Sequence, residues 1–338
     1  MTSLWSDFIS HENFALALKN ATRGRKTKPS IAHFLKNADE NLENLRQLVI
    51  AGGFKTSPYR TMEITDPKRR TIYILPFCPD RLLHHALMNI LAPIWEAGFI
   101  RDSYACITGR GLHSASRRTM QFVRRNQYVL KCDIRKFYPS IDHNIMYEIV
   151  KKSLPPGNEN ILAILHDIIY STAGGKNLPI GNLCSQWMGN LYLHEMDIYI
   201  KHELRVRDYL RYSDDFCLFS NDNAQLRGWR DKIREFLAAR LGLIFSKAEI
   251  FPVSNGLDFV GYRHFKDFVL LRKRTLKKIK SRMLEIGEMK NIAPANAERI
   301  RGQVAAAHGW LKFACSYNLR KKLRFETLKK KVGIIVSS

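Results

Sequence analysis

Two acidic signals about eighty residues apart constrain this chain more than anything else in it, because each sits in apolar, β-prone sequence. The first is Asp133, in YVLKCDIRKFYPSIDH; the second is the Asp214–Asp215 pair, in YLRYSDDFCLFS. A carboxylate beside a buried strand is costly unless a cation neutralises it. The pattern therefore asks for a fold that brings both segments to shared divalent cations, with the second set on a β-hairpin.

Charge narrows the partner. The 338 residues hold 55 Lys+Arg against 31 Asp+Glu, a net charge of +24, far more than solubility requires. Such a field points to a polyanion, nucleic acid ahead of a membrane surface. Hydrophobic residues at 45% exclude the disordered class, and the length suits two or three lobes. No apolar run approaches bilayer length, and MTSLWSDFISHENF lacks a basic region followed by an apolar core. The expectation is a cytoplasmic protein with no membrane partner. The six cysteines form no CxxC pair and read as buried thiols in a reducing compartment; His84–His85 reads as packing.

Residues 1–50 predict two helical pieces around the basic turn ATRGRKTKPS, the second from about Ile31 to Val49 with Leu35, Leu42, Leu45 and Leu48 at helical spacing. The turn reads equally as a phosphate contact or a solvated loop. Tyr59 to Pro76 predicts a hairpin turning at Thr65–Asp66–Pro67, with Lys68, Arg69 and Arg70 projecting from its turn and returning strand. Residues 80–96 predict an amphipathic helix that Pro93 ends or kinks. Gln127–Cys132 predicts a strand into Asp133, after which Asp142 caps a helix from near His143. Further helices are expected over 159–170, from GNLCSQ through KHEL, and over about 223–241, with the acidic hairpin over Arg211–Ser220 and strand signals in GLIFS and AEIFPV. This order suits an α/β chain of α+β type, an antiparallel sheet backed by helices in the split-βαβ manner. After Gly261 the chain becomes strongly basic, helical from near Arg274 and again over about 297–331, with a break around Ser316–Asn318.

Extending a nucleic acid needs one ion to lower the pKa of the primer 3′-hydroxyl and a second to hold the triphosphate. Asp133 and Asp214 are the candidate ligands, with Ile134 beside them; Asp215 supports them or faces the primer. Hard oxygen donors select two Mg²⁺, with Mn²⁺ as substitute. Alone, an Asp–Asp pair in a turn is as often a solvated cap; Asp133 and the preceding Tyr212 tip the balance. Phe137 and Tyr138 are core aromatics or the floor of a nucleotide site, and Tyr138 is the chosen ring to obstruct a 2′-hydroxyl. Arg69, Arg70 and Arg81 offer charge to phosphates. In PIGNLCSQ, Gly181 allows close backbone approach and Gln186 offers a polar edge, with Ile180, Asn182 and Ser185 toward the template. Phe259, Gly261 and Tyr262, then Arg272, Lys273 and Arg274, are the primer and duplex contacts.

These motifs together resemble the reverse transcriptases of bacterial and phage retroelements, and among them those of diversity-generating retroelements, which are related to group II intron enzymes. Asp133–Tyr138 is similar to the first catalytic motif, and Tyr212-Ser213-Asp214-Asp215 to the YxDD box. LPIGNLCSQWMGNLYLHEMD resembles the template motif in its IGxxxSQ form; DRLLHHAL, DSYACITGRGLHSA, FVGYR and LLRKR resemble finger, grip and thumb motifs. The resemblance runs from about Tyr59 to Asn318. It implies a right-hand polymerase: an N-terminal region and fingers over 1–127, palm over 128–142 and 209–262, fingers and palm helices with the template motif over 143–208, and a helical thumb over 263–338. It implies copying of a dedicated template RNA into cDNA with dNTPs, through an RNA–DNA hybrid, error-prone at template adenines, with Ile180 and Gln186 influencing fidelity. A small basic oligomeric accessory protein is the implied partner. Ser213, Tyr138 and Cys184 stand where the family often has other residues. No extension resembling a maturase DNA-binding or endonuclease domain is expected. Two rivals remain: a stand-alone defence-associated, CRISPR-associated or intron-like reverse transcriptase, and an inert RNA-binding scaffold.

Overall fold

The computed structural model describes residues 4–65, 69–289 and 291–333. Four short helices open the chain: α1 (Leu4–Phe8), α2 (His11–Thr22), α3 (Pro29–Phe34) and α4 (Ala38–Ile50). The helix expected over Ile31–Val49 is thus two, parted by a 3₁₀ turn at Leu35–Asn37. Its core side is carried by Leu45 and Val49, whereas Leu48 is exposed. Strands β1 (Arg60–Ile64) and β2 (Arg70–Ile74) form the expected antiparallel hairpin, with Arg60 opposite Ile74. Its turn at Asp66–Pro67 and Lys68 lie outside the described residues. α5 (Leu82–Gly98) runs through Pro93 without ending there. α6 (Leu112–Arg125) follows.

The central sheet is built from β3 (Tyr128–Ile134), β4 (Tyr209–Tyr212), β5 (Asp215–Ser220) and β6 (Phe245–Pro252), in the order β4-β5-β3-β6, every pair antiparallel. Asp133 lies inside β3, and GLIFS and AEIFPV merge into the one strand β6. Between β3 and β4 run α7 (Phe137–Ser140), α8 (His143–Ser153), α9 (Glu159–Ile169) and α10 (Leu183–Ile198). As expected, Asp142 caps α8, accepting from the N–H groups of Asn144 and Ile145 at 3.0 and 3.3 Å. α11 (Asn223–Leu241) packs on β3, β5 and β6.

Strand alternation explains how the sheet is covered. Leu130, Cys132 and Ile134 face the largest core with Phe216, Leu218, Ile233 and Leu237. Val129 faces a second core with Leu210, Cys217, Phe219 and Phe259. Lys131 and Asp133 share this second face, beyond its apolar end.

A small antiparallel sheet of β7 (Leu257–Phe259), β8 (Tyr262–His264) and β9 (Val269–Leu271) leads to α12 (Lys273–Glu288), α13 (Pro294–Phe313), α14 (Tyr317–Lys322) and α15 (Phe325–Lys331). The last helical region is therefore three helices, and β8 runs across the 262/263 boundary. These helices bury their own core around Met283, Ile286, Val304 and Leu311. Among the described residues no helix is long and apolar enough to cross a membrane. Cys132, Cys184 and Cys217 are buried as expected, Cys78 partly so, but Cys106 and Cys315 are exposed. Their neighbouring turns leave these two thiols outside the apolar clusters.

Candidate active site

The β3–β5 ladder places Asp133 directly opposite Asp215. Directly opposed residues in an antiparallel pair share a face, so both acids, with Lys131, stand on one side of the sheet. Asp214 occupies the turn between β4 and β5, after Ser213, whose φ is +57°. The ladder thus sets Asp133 against Asp215, with Asp214 in the adjoining turn. Between Asp133 and Ile134 the β3–β6 pairing slips, so that Ile134 pairs with Phe245 and Ser246 falls in the irregularity. Ser246 Oγ donates to the Asp133 carbonyl at 3.2 Å and also to its carboxylate. The Ile134 side chain is buried in the main core; only its main chain faces the acids' end of the strand.

The acids suffer from their surroundings. Burial raises the Asp214 pKa, and Asp133 adds to the rise while Arg70 opposes it. Asp215 is pushed up to about 6 by burial, countered by Lys131 and reinforced by Asp133 and Asp214. Lys131 Nζ lies 3.5 Å from Asp215 Oδ2 and donates to the Asp258 carbonyl at 2.6 Å. Asp215 Oδ1 is buried with no hydrogen-bond partner. Among the described residues no group of three or more His, Cys, Asp or Glu is arranged to hold a metal ion. The donor chemistry nonetheless fits one: opposed carboxylates, raised pKa values and an orphaned oxygen are what a hard divalent cation would relieve.

A buried ion pair supports the turn. Arg211 and Asp197 are both fully buried. Arg211 Nε and NH2 donate to Asp197 at 2.8 and 2.6 Å, and NH1 donates to Asn190 Oδ1 at 3.1 Å and to the Ser213 carbonyl at 3.2 Å. Tyr209 donates to Asp197 at 2.5 Å. Burial works against the Arg211 charge, but Asp197 outweighs it and holds the pKa above its ordinary value. Arg211, Asp197, Asn190 and Lys131 were not singled out from the sequence. An arginine inside the apolar strand YLRY was the available signal.

Other expected residues divide. Tyr138 is half-buried, its ring 5.1 Å from that of Phe137. Burial first, then Cys106 and Asp214, raises its phenol pKa. A Cβ on Gly189 of α10 would lie 3.2 Å from the Tyr138 ring and 3.3 Å from Phe137, so glycine there permits the close packing. Phe137 itself is a core residue, which removes it as a direct nucleotide contact. Arg70 is the cation brought to Asp214; Arg69 pairs with Glu63 at 3.0 Å on the hairpin surface.

Arg81, Gly181, Asn182 and Gln186 line a separate cleft of about 430 Å³, joined by Arg23 and Arg25 from the basic N-terminal turn. Burial and Arg25 lower the Arg81 pKa. His84 Nε2 and Asn182 Nδ2 are buried there without partners. Gly181, at φ +116°, makes its close approach to β2, where a Cβ would sit 2.9 Å from the Tyr73 carbonyl; the Ile180 carbonyl accepts from Tyr73 N–H at 2.8 Å. Ser185 is buried on the inner face of α10 and presents no surface to a template.

Phe259 and Tyr262 are corrected in the same way, because both rings are buried. Tyr262 packs on Trp310 and Phe313 and shares a hydrogen bond of 2.9 Å with His113. Gly261, at φ +83°, turns the chain against Trp310. Tyr212 is half-buried beside Asp215. Arg272, Lys273 and Arg274 are exposed along a groove of about 1170 Å³.

Breaking one side of the buried pair by Asp197→Ala should cost about 3–5 kcal/mol in chemical denaturation. The apolar double variant Arg211→Met/Asp197→Leu should recover most of that loss, and equal loss in both would overturn the pairing argument. A second outcome concerns pH. The folded pKa of Asp215 lies above its ordinary 3.8, so its ionisation opposes folding. The favourable contribution of the protonated form is complete below about pH 4 and lost as pH rises through about 6. With the side chain 32% exposed, Asp215→Asn should stabilise the metal-free protein at neutral pH by on the order of 1 kcal/mol. Melting curves of the two proteins should converge near pH 4.

Residues 64–264 match the family described as Reverse transcriptase (RNA-dependent DNA polymerase). Protein YkfC of Escherichia coli (strain K12) is 25% identical over 313 residues, spanning 78% of each chain. Group II intron-encoded protein LtrA of Lactococcus lactis subsp. cremoris is 21% identical over 214 residues, 59% of this chain and 35% of that one. The chain thus spans about a third of LtrA. The solved structure of apo telomerase from Candida tropicalis superposes with a TM-score of 0.53 at 13% identity, over 82% of this chain and 60% of that one, a likeness of fold alone. The family match covers more than half of the sequence and includes both acidic segments, and the chain belongs to the reverse transcriptase (RNA-dependent DNA polymerase) family.

Proposed function

We propose that this protein is an RNA-directed DNA polymerase that extends a primer by two-metal nucleotidyl transfer at Asp133, Asp214 and Asp215. The observation that carries the reading is the ladder setting Asp133 opposite Asp215 beside the Asp214 turn, in a chain with a net charge of +24. The three carboxylates, with the Ile134 main chain, would hold Mg²⁺; when bound, the ions supply acidity to the primer hydroxyl and charge stabilisation to pyrophosphate. Arg70 offers positive charge to the triphosphate from the β1–β2 hairpin. Tyr138, held by Gly189 packing, obstructs the ribose 2′ position. Arg81, Gln186 and the arginines of the N-terminal turn offer a cationic cleft to the template side. Arg272, Lys273 and Arg274 begin the basic helices that follow the duplex.

In this reading residues 1–127 and 143–208 supply fingers and supporting helices, 128–142 and 209–262 the palm, and 263–338 the thumb. Copying errors at template adenines, a dedicated template RNA and a basic accessory protein are proposed on the IGxxxSQ form of the template motif. A group II intron-like enzyme is the second reading, and the similarity to LtrA favours it.

Asp214→Asn should bind a primed RNA template and fail to extend it with dNTPs and Mg²⁺, and Tyr138→Ala should accept ribonucleotides more readily. Retained synthesis in the first would remove the metal assignment; unchanged sugar discrimination in the second would remove the gate. Sequencing cDNA made from the native RNA separates the two branches. Errors confined to adenines are expected, and faithful copying would transfer the protein to the intron-like group.

A further inference from the structure

A second basic cleft lies at the end of the central sheet remote from the acids. The end of α6, the loop before β4, the exit of β5 and the first turns of α11 enclose about 600 Å³ there. Ser220, on its wall, is five residues along β5 from Asp215, roughly 17 Å at the usual strand rise. Nothing in the polymerase reading uses this cleft.

The loop presenting its charge is fixed. Val206 is buried and its N–H donates to the Ile200 carbonyl at 3.0 Å. Lys201 Nζ donates to the carbonyls of Val206 and Arg207 at 3.3 and 2.9 Å. Asp208 accepts from Arg125 Nε and Asn126 Nδ2, each at 2.7 Å, so its charge is consumed within the wall. Arg205 has φ +52°, a backbone state that a non-glycine residue keeps only where its surroundings impose it.

Arg205 and Arg207, flanking the buried Val206, are exposed and have no carboxylate partner among the described residues. Asp222, the other acid on the wall, caps α11 by accepting from Ala224 N–H at 2.8 Å. Trp229 lines the cleft half-buried. Gln225 accepts from Ser220 Oγ at 2.7 Å, which leaves its amide N–H groups to donate.

Two guanidinium groups on a rigid loop, an indole surface and an amide donor match the phosphate, the ring and the polar edge of a nucleotide. A preformed loop also loses little conformational freedom on binding. An acidic peptide would use the arginines but neither the indole nor the amide. We propose that this cleft binds an unpaired nucleotide of RNA, phosphate on Arg205 and Arg207 and base against Trp229, gripping the template RNA away from the stretch being copied. The proposal rests on the polymerase reading only for the identity of that RNA.

The test uses the full chain and an RNA hairpin with an unpaired uridine tail carrying 4-thiouridine. Photocross-links should map to the 205–207 loop or to Trp229. Arg205→Glu/Arg207→Glu should weaken hairpin binding by about tenfold or more and flatten the slope of log affinity against log salt by about 0.7, one single-strand phosphate contact. Trp229→Ala should weaken binding about fivefold or more, and Trp229→Phe should largely preserve it. Extension of a short primed RNA that cannot span both sites should be unchanged in all three variants. Equal hairpin affinity after charge reversal overturns the proposal, as do cross-links confined to other segments of the wild type. An equal loss on the short primed duplex also overturns it, as does displacement of the wild type's cross-links by an acidic peptide but not by free uridine tail. Wild-type protein that fails to extend the short duplex would sink the polymerase reading while leaving the hairpin measurement decisive for the cleft.

Discussion

The register of β3 between β5 and β6 is the constraint on which the rest depends. It converts an interval of some eighty residues into a single cross-strand pair, Asp133 and Asp215. A slip of one residue would send every β3 side chain to the opposite face. Leu130, Cys132 and Ile134 would then leave the main core, and Lys131 and Asp133 would enter it. The cost of burying those charges and exposing those apolar groups fixes the register. The apolar core and the placement of the acids therefore have the same physical origin.

Around that ladder the protein arranges charge in two ways. Behind the turn, Arg211 and Asp197 are wholly buried and satisfy each other, with Asn190, Tyr209 and the Ser213 carbonyl completing the set. In front of it, Asp133, Asp214 and Asp215 repel one another, with Lys131 and Arg70 as partial counter-charges. The first arrangement gives rigidity. The second leaves electrostatic strain of the kind that a bound divalent cation relieves, and one Asp215 oxygen is unpartnered there.

Much of this was legible in the sequence because it is local. The two acidic strands, the Asp142 cap, the helix after the acidic hairpin and the basic C-terminal helices follow from periodicity and turn chemistry over short windows. Residues whose role depends on what lies opposite were misread. Phe259 and Tyr262 looked like a primer contact; Phe259 proved to be buried in the core with Val129 and Phe219, and Tyr262 against Trp310 and Phe313. Ser185 looked like a template contact and faces inward. Gly181 reads alike whether it approaches a base or the β2 backbone, and only the fold placed Tyr73 there. Arg211 stayed hidden because its partner Asp197 is fourteen residues away on another element.

The sequence by itself determined the chemical inventory: carboxylates in apolar strands, an excess of basic charge and an ordered series of motifs. Those properties are set by residue type and near-neighbour spacing. Only the tertiary structure decided which acids meet, which aromatics are buried, that the N-terminal arginines join Arg81 in one cleft, and that Arg205 and Arg207 stand at the far end of the sheet. Burial and long-range pairing decide whether a side chain is a ligand, a counter-charge or core, and neither is encoded within any short stretch of chain.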